Sequence, residues 1–160
     1  MKKMVSVLMT AMIFTIPVTG WALNPGDGDG VSNVNDAGYF TNINYTAGLI
    51  VNDGNYNQLY LKDSWRILSS RTAAINSDEH RIAFRVGWID TNKNGKVDIS
   101  SDLVDYHFMV QNDTGKWSEK HGQQASINTG ITDPSSFSWN LGSYSNFYNS
   151  ATVYIAARHW

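Results

Sequence analysis

Residues 80–110 read HRIAFRVGWIDTNKNGKVDISSDLVDYHFMV, and their patterning defines two strands and the loop between them. Ile82, Phe84, Val86 and Trp88 alternate with Arg81, Ala83, Arg85 and Gly87. Past the polar middle, Val104, Tyr106, Phe108 and Val110 alternate with Leu103, Asp105, His107 and Met109. Successive side chains of a strand point to opposite faces, so each run predicts a strand. The middle, Asp90 to Asp102, carries side-chain oxygens at Asp90, Asn92, Asn94 and Asp98, with Gly95 in the sixth position. This is the front half of the pattern D-x-[DN]-x-[DN]-G, in which alternate residues of a tightly curled loop offer oxygens to one hard cation.

Calcium takes six to eight oxygen ligands. Asp90, Asn92 and Asn94 supply side-chain oxygens at positions one, three and five. Lys96 supplies its carbonyl at seven, and Asp98 acts at nine, directly or through water. Position twelve is Ser101, and Asp102 follows one residue later, close enough to swing in. The stretch DTNKNGKVD, which starts at Asp90, resembles the calcium loop of dockerin modules and of EF-hands. The resemblance implies a calcium cofactor on these residues. It covers Asp90 to Asp102 alone, and the flanks are strands where an EF-hand has helices, so the cellulosomal role of dockerins is not carried over. Few charges and a displaced last ligand imply weak binding, roughly 10⁻⁴ to 10⁻³ M, as in extracellular calcium modules. A second stretch, GDGDGVSNVNDA, is weakly similar to a fragment of a thrombospondin type 3 repeat over Asp27 to Asp36.

The N-terminus predicts export. Lys2 and Lys3 precede an apolar run from Met4 to about Val18, and Gly20-Trp21-Ala22 offers small residues at a cleavage site. Residues 1–22 are read as a signal peptide, and the run is shorter than the ~20 residues that span a bilayer. A secreted or periplasmic, bacterial protein is expected. Residues 23–36 form a flexible Gly/Asp-rich lead-in, and 37–160 form one domain. The whole chain of 160 residues has a formal net charge of −2, and losing Lys2 and Lys3 leaves it more acidic. No basic stripe speaks for a nucleic-acid partner. Cysteine is absent, which excludes thiol catalysis and disulfide staples.

The rest of the chain reads as more strands. From Tyr39, Thr41, Ile43, Tyr45, Ala47, Leu49 and Val51 lie on one side of an alternating pattern, with Phe40 and Ile50 as exceptions. Asn52-Asp53-Gly54-Asn55 predicts a hairpin turn and Gln58 to Leu61 the returning strand. Further strands are expected at Trp65–Leu68, Thr72–Ile75, Lys116–Lys120, Phe137–Leu141 and Ala151–Ala157. About eight to ten short antiparallel strands imply an all-β, single-domain β-sandwich.

Two further groups carry chemistry. Asp105-Tyr106-His107 puts a carboxylate and an imidazole on one face of a strand, where they could orient a general base for a small secreted hydrolase. His80, His121 and His159 lack the close pair spacing of a zinc site. In the last quarter, Tyr144, Phe147 and Tyr148 lie among Ser and Asn, a composition suited to stacking on sugar rings. The leading expectation is a secreted, calcium-binding, non-catalytic module or small effector that recognises carbohydrate or a cell surface. A hydrolase using Asp105 and His107 is the alternative, and a small outer-membrane β-barrel ending at Trp160 the second alternative.

Overall fold

The computed structural model describes residues 38–57, 65–121 and 125–158. The expected signal peptide, the Gly/Asp-rich lead-in, the strand at Gln58 to Leu61 and Trp160 lie outside these residues. A helical turn, α1 (Gly38–Thr41), leads into α2 (Ile43–Asn57). The strands follow: β1 (Trp65–Leu68), β2 (Glu79–Ile89), β3 (Leu103–Gln111), β4 (Trp117–Glu119), β5 (Ile127–Asn128) and β6 (Val153–Arg158). They make one antiparallel sheet in the order β1-β6-β2-β3-β4-β5. β1 and β5 are its edges, so among the described residues the sheet is open. No described helix is long and apolar enough to cross a membrane.

Among the described residues the strands number six, fewer than the eight to ten expected, and form one sheet with unlike layers on its two faces. Residues 39–51, read as alternating strand, are helical. Asn42 caps α2: its Oδ1 accepts from Tyr45 N at 3.2 Å, and its carbonyl accepts from Thr46 N. Ile43, Thr46, Ala47, Ile50 and Val51 then share one helical face. Phe40 and Ile50, the exceptions to alternation, both pack on the sheet as part of this layer. The expected turn at Asn52–Asn55 is the last part of α2, and Asn55 clamps the start of β1 by bonding both the N–H and the carbonyl of Trp65.

β2 and β6 are buried on both faces. On one face Ile82, Phe84, Val86, Val153 and Ile155 pack against Phe40, Ala47 and Leu49. On the other, Ala83, Met109, Tyr154 and Ala156 pack against Ile131, Trp139, Phe147 and Tyr148. That second layer is built from the irregular segment between β5 and β6. Its stretch Phe137–Leu141 is not a strand; the Phe137 carbonyl accepts from Arg85, and Trp139 is in the core. Thr72–Ile75 is not a strand either, because the guanidinium groups of Arg81 and Arg66 take the carbonyls of Ala73 and Ala74.

Arg66 also makes a two-point contact with Glu79, with Nη2–Oε2 2.8 Å and Nε–Oε1 3.2 Å. Burial alone would raise the Glu79 carboxyl, but Arg66 and the Asn76 N–H overcome it and hold the group below the usual range. A carboxyl with a depressed folded value stabilises above its unfolded pKa, roughly 4.3, and that stability is lost as pH falls through the lower folded value. Glu79→Gln should therefore cost about 2 kcal/mol at pH 7, since the bonds lost are charge-assisted. In urea titrations repeated from pH 7 to pH 3, the gap between the two proteins should close. A gap that persists unchanged at pH 3 would refute this account.

Candidate functional site

The β2–β3 connection is the loop singled out in the sequence. Lys93 and Gly95 have left-handed backbones, φ 59° and 74°. This is the curl that the sixth-position glycine permits. The Asp90 carboxylate spans the turn, accepting from Asn94 N at 3.1 Å and Gly95 N at 2.7 Å. Asn92 Oδ1 accepts from Asn94 N, and Asn94 Oδ1 accepts from Lys96 N. Residues 91–96 are exposed. After Asp98 the chain makes one helical turn, with Ser101 N and Asp102 N both bonded to the Asp98 carbonyl.

Asp102 has a different use from the one expected. Its Oδ2 accepts from Trp88 Nε1 at 3.0 Å and from Asp98 N at 2.9 Å, and its Oδ1 accepts from Thr91 N at 3.0 Å. Desolvation opposes its ionisation, but these N–H donors hold the carboxyl below its ordinary value. Asp102 thus ties the base of the loop. Asp98, held low by Ser100, accepts from both the Ser100 hydroxyl and its N–H.

A second cluster sits on β3, β4 and the residues that directly follow β4. The hairpin between the two strands turns at Asn112 to Gly115. Asn112 Oδ1 accepts from Thr114 N and Lys116 N, and Gly115 has φ 77°. This turn sets the register, pairing Gln111 with Trp117 and Met109 with Glu119. One step further, the same register puts His121 opposite His107. The two imidazoles stack with centroids 4.6 Å apart. His107 Nε2 is 3.1 Å and His121 Nε2 3.4 Å from the same oxygen, Glu119 Oε2. The contact with His107 holds the Glu119 carboxyl below the usual range, against its burial. The His107 ring also stacks with Tyr148 at 5.2 Å and lies T-shaped to Trp139 at 5.8 Å.

Asp105 and His107 share a face but form no dyad. The Asp105 carboxylate accepts from the Tyr148 hydroxyl at 2.7 Å and from Tyr106 N at 2.8 Å, while His107 engages Glu119. Burial pushes the Asp105 carboxyl up against those bonds. The aromatic group is corrected too. Phe147 and Tyr148 are 3% and 2% exposed, in the core of the second layer. Of the three rings expected to meet a sugar, Tyr144 alone is at the surface, 51% exposed.

Spacing along the chain does not reveal the His107–Glu119–His121 cluster, because its members lie on two paired segments. A signal was present. Asp-x-His at 105–107 and Glu-x-His at 119–121 lie either side of an Asn-Asp-Thr-Gly turn. Folding the hairpin about that turn brings the two histidines level. No protein-family model, curated protein or solved structure matches the chain.

Proposed function

We propose that this chain is an exported, non-catalytic calcium-binding module whose β2–β3 loop takes up the ion. The reading rests on one observation above all. The backbone of residues 90–96 has the curl of a calcium loop, with Lys93 and Gly95 left-handed and Asp90 bridging two backbone N–H groups. The ligands are Asp90, Asn92, Asn94, the Lys96 carbonyl and Asp98, in the order that calcium loops use. Asp102 is engaged with Trp88, so no bidentate carboxylate completes the set. That favours a weak site, suited to compartments where calcium is millimolar. Calcium would pin the hairpin tip, while the export signal read in residues 1–22 delivers the chain to such a compartment.

The test is thermal melting of the mature protein in EDTA and in calcium. At ~10 mM calcium and an affinity of ~0.1 mM, linkage gives about 2.7 kcal/mol of stabilisation, a rise of several degrees in Tm. Asp90→Ala should lower the melting point even in EDTA, because Asn94 N and Gly95 N lose their acceptor. The decisive quantity is thus the calcium-induced increment, which should vanish in the variant. A wild-type protein that melts at the same temperature with and without calcium would end this reading.

A further inference from the structure

We propose a second metal site, for zinc, formed by His107, Glu119 and His121 and distinct from the calcium loop. Two imidazoles and one carboxylate are a donor set for borderline transition ions; calcium and magnesium prefer oxygen alone. Zinc binds imidazole nitrogen at about 2.0–2.1 Å and carboxylate oxygen at about 2.0–2.2 Å, usually with tetrahedral geometry. Bonds of that length at a tetrahedral angle put ligand atoms about 3.3 Å from one another. Two of the three separations have that value here, 3.1 Å from His107 Nε2 to Glu119 Oε2 and 3.4 Å from His121 Nε2 to the same oxygen. One ligand atom from each residue lies within 4.8 Å of the other two.

The cluster is also held in shape. His107 stacks with both Tyr148 and His121 and lies T-shaped to Trp139. Tyr148 is anchored through its hydroxyl to Asp105. His107 on β3, Glu119 on β4 and His121 two residues past β4 are brought together by a register that the Asn112–Gly115 turn sets. Ligand orientation by packing and outer contacts is what separates a metal site from a chance cluster. Side-chain exposure rises from 8% at His107 and 15% at Glu119 to 34% at His121. The ion therefore has a route from solvent past His121. Three protein ligands leave a fourth position for water or an external donor, the arrangement of zinc sites that keep an open position.

The experiment is calorimetric titration of zinc into EDTA-stripped, dialysed mature protein, with millimolar calcium present throughout to occupy the loop. Wild type should bind one zinc per chain in the micromolar range or tighter. His121→Ala removes the most exposed ligand, and Glu119→Gln keeps the side-chain shape, so at least one variant should stay folded, as circular dichroism will show. Each should weaken binding by more than the roughly 10- to 100-fold that loss of a supporting contact costs a metal site. Asp90→Ala should bind zinc as wild type does. A cobalt titration adds a readout of geometry, since tetrahedral cobalt absorbs strongly in the visible and the variants should lose that band. No heat at ~100 µM zinc, or binding that survives in both variants, overturns the proposal, as does zinc binding that disappears in Asp90→Ala. The calcium reading stands or falls on the separate melting increment.

Discussion

Arg85→Ala should destabilise the protein by about 3–5 kcal/mol, because it strips several buried carbonyls of a charge-assisted donor and each acceptor left unsatisfied costs about 1–3 kcal/mol. Arg85 is on β2, 6% exposed, directly opposite His107. Its guanidinium donates to Thr152 Oγ1 and to the carbonyls of Pro134, Ser135, Phe137 and Tyr148. It also lies 5.0 Å from the centre of the Trp139 ring. These carbonyls belong to a segment with little regular structure, outside the sheet's ladders; that of Pro134 also accepts from Phe137 N and Trp139 Nε1. Burial pushes the Arg85 pKa down, but a guanidinium keeps its proton. One side chain thus satisfies the backbone of the second layer and fastens it to the sheet. Arg85→Lys is the discriminating variant. It retains the charge but has three donors and no planar fork, so it should recover less than half of the loss. Urea unfolding, with near-ultraviolet circular dichroism to follow Trp139, measures both. A lysine variant as stable as wild type would mean that charge alone suffices and that the network is incidental.

Gly87→Ala should be nearly as damaging, at about 3 kcal/mol or more. Gly87 faces the same layer from β2, and its backbone is not left-handed. Its absent side chain therefore provides space, not conformational freedom. A Cβ there would lie 2.5 Å from two carbons of the Phe147 ring and 2.5 Å from the Phe147 carbonyl oxygen. A ring can rotate away, but a backbone oxygen cannot move without shifting the layer. Gly87→Ala made in a Phe147→Ala background should accordingly cost less than in wild type, yet remain unfavourable. A double-mutant cycle by chemical denaturation reads this coupling. Full additivity would show that Phe147 does not set the limit at Gly87.

Several parts of this architecture were legible in the residues. The alternation at Ile82–Trp88 and at Leu103–Val110 defined β2 and β3 and which side chains share a face. Trp117 on a short strand and the run at Ala151–Ala157 also matched, as β4 and β6. Residues 39–51 differ from the expected strand because a half-apolar segment can satisfy period two and period 3.6 at once. The deciding signs were the capping Asn42 and the two residues, Phe40 and Ile50, that broke the alternation. The aromatic-rich end was misread for another reason. Composition shows that Phe147 and Tyr148 are large and sit among polar neighbours, but not that a sheet face lies open beneath them.

Sequence alone determined what is local here: the alternating faces of β2 and β3, the turn at Asn112–Gly115, and the curl of the Asp90 loop. Each depends on residues within a few positions of one another, whose sterics and hydrogen bonds are set by the chain itself. Tertiary structure alone decided that a helix covers one face and an irregular layer the other. It also decided that β6 pairs between β1 and β2, and that His107, Glu119 and His121 meet around one oxygen. Those outcomes depend on which distant surfaces bury each other and on strand register, which closes contacts across many residues. A side chain's type is written at its own position, but its neighbours are chosen by the packing of the whole chain.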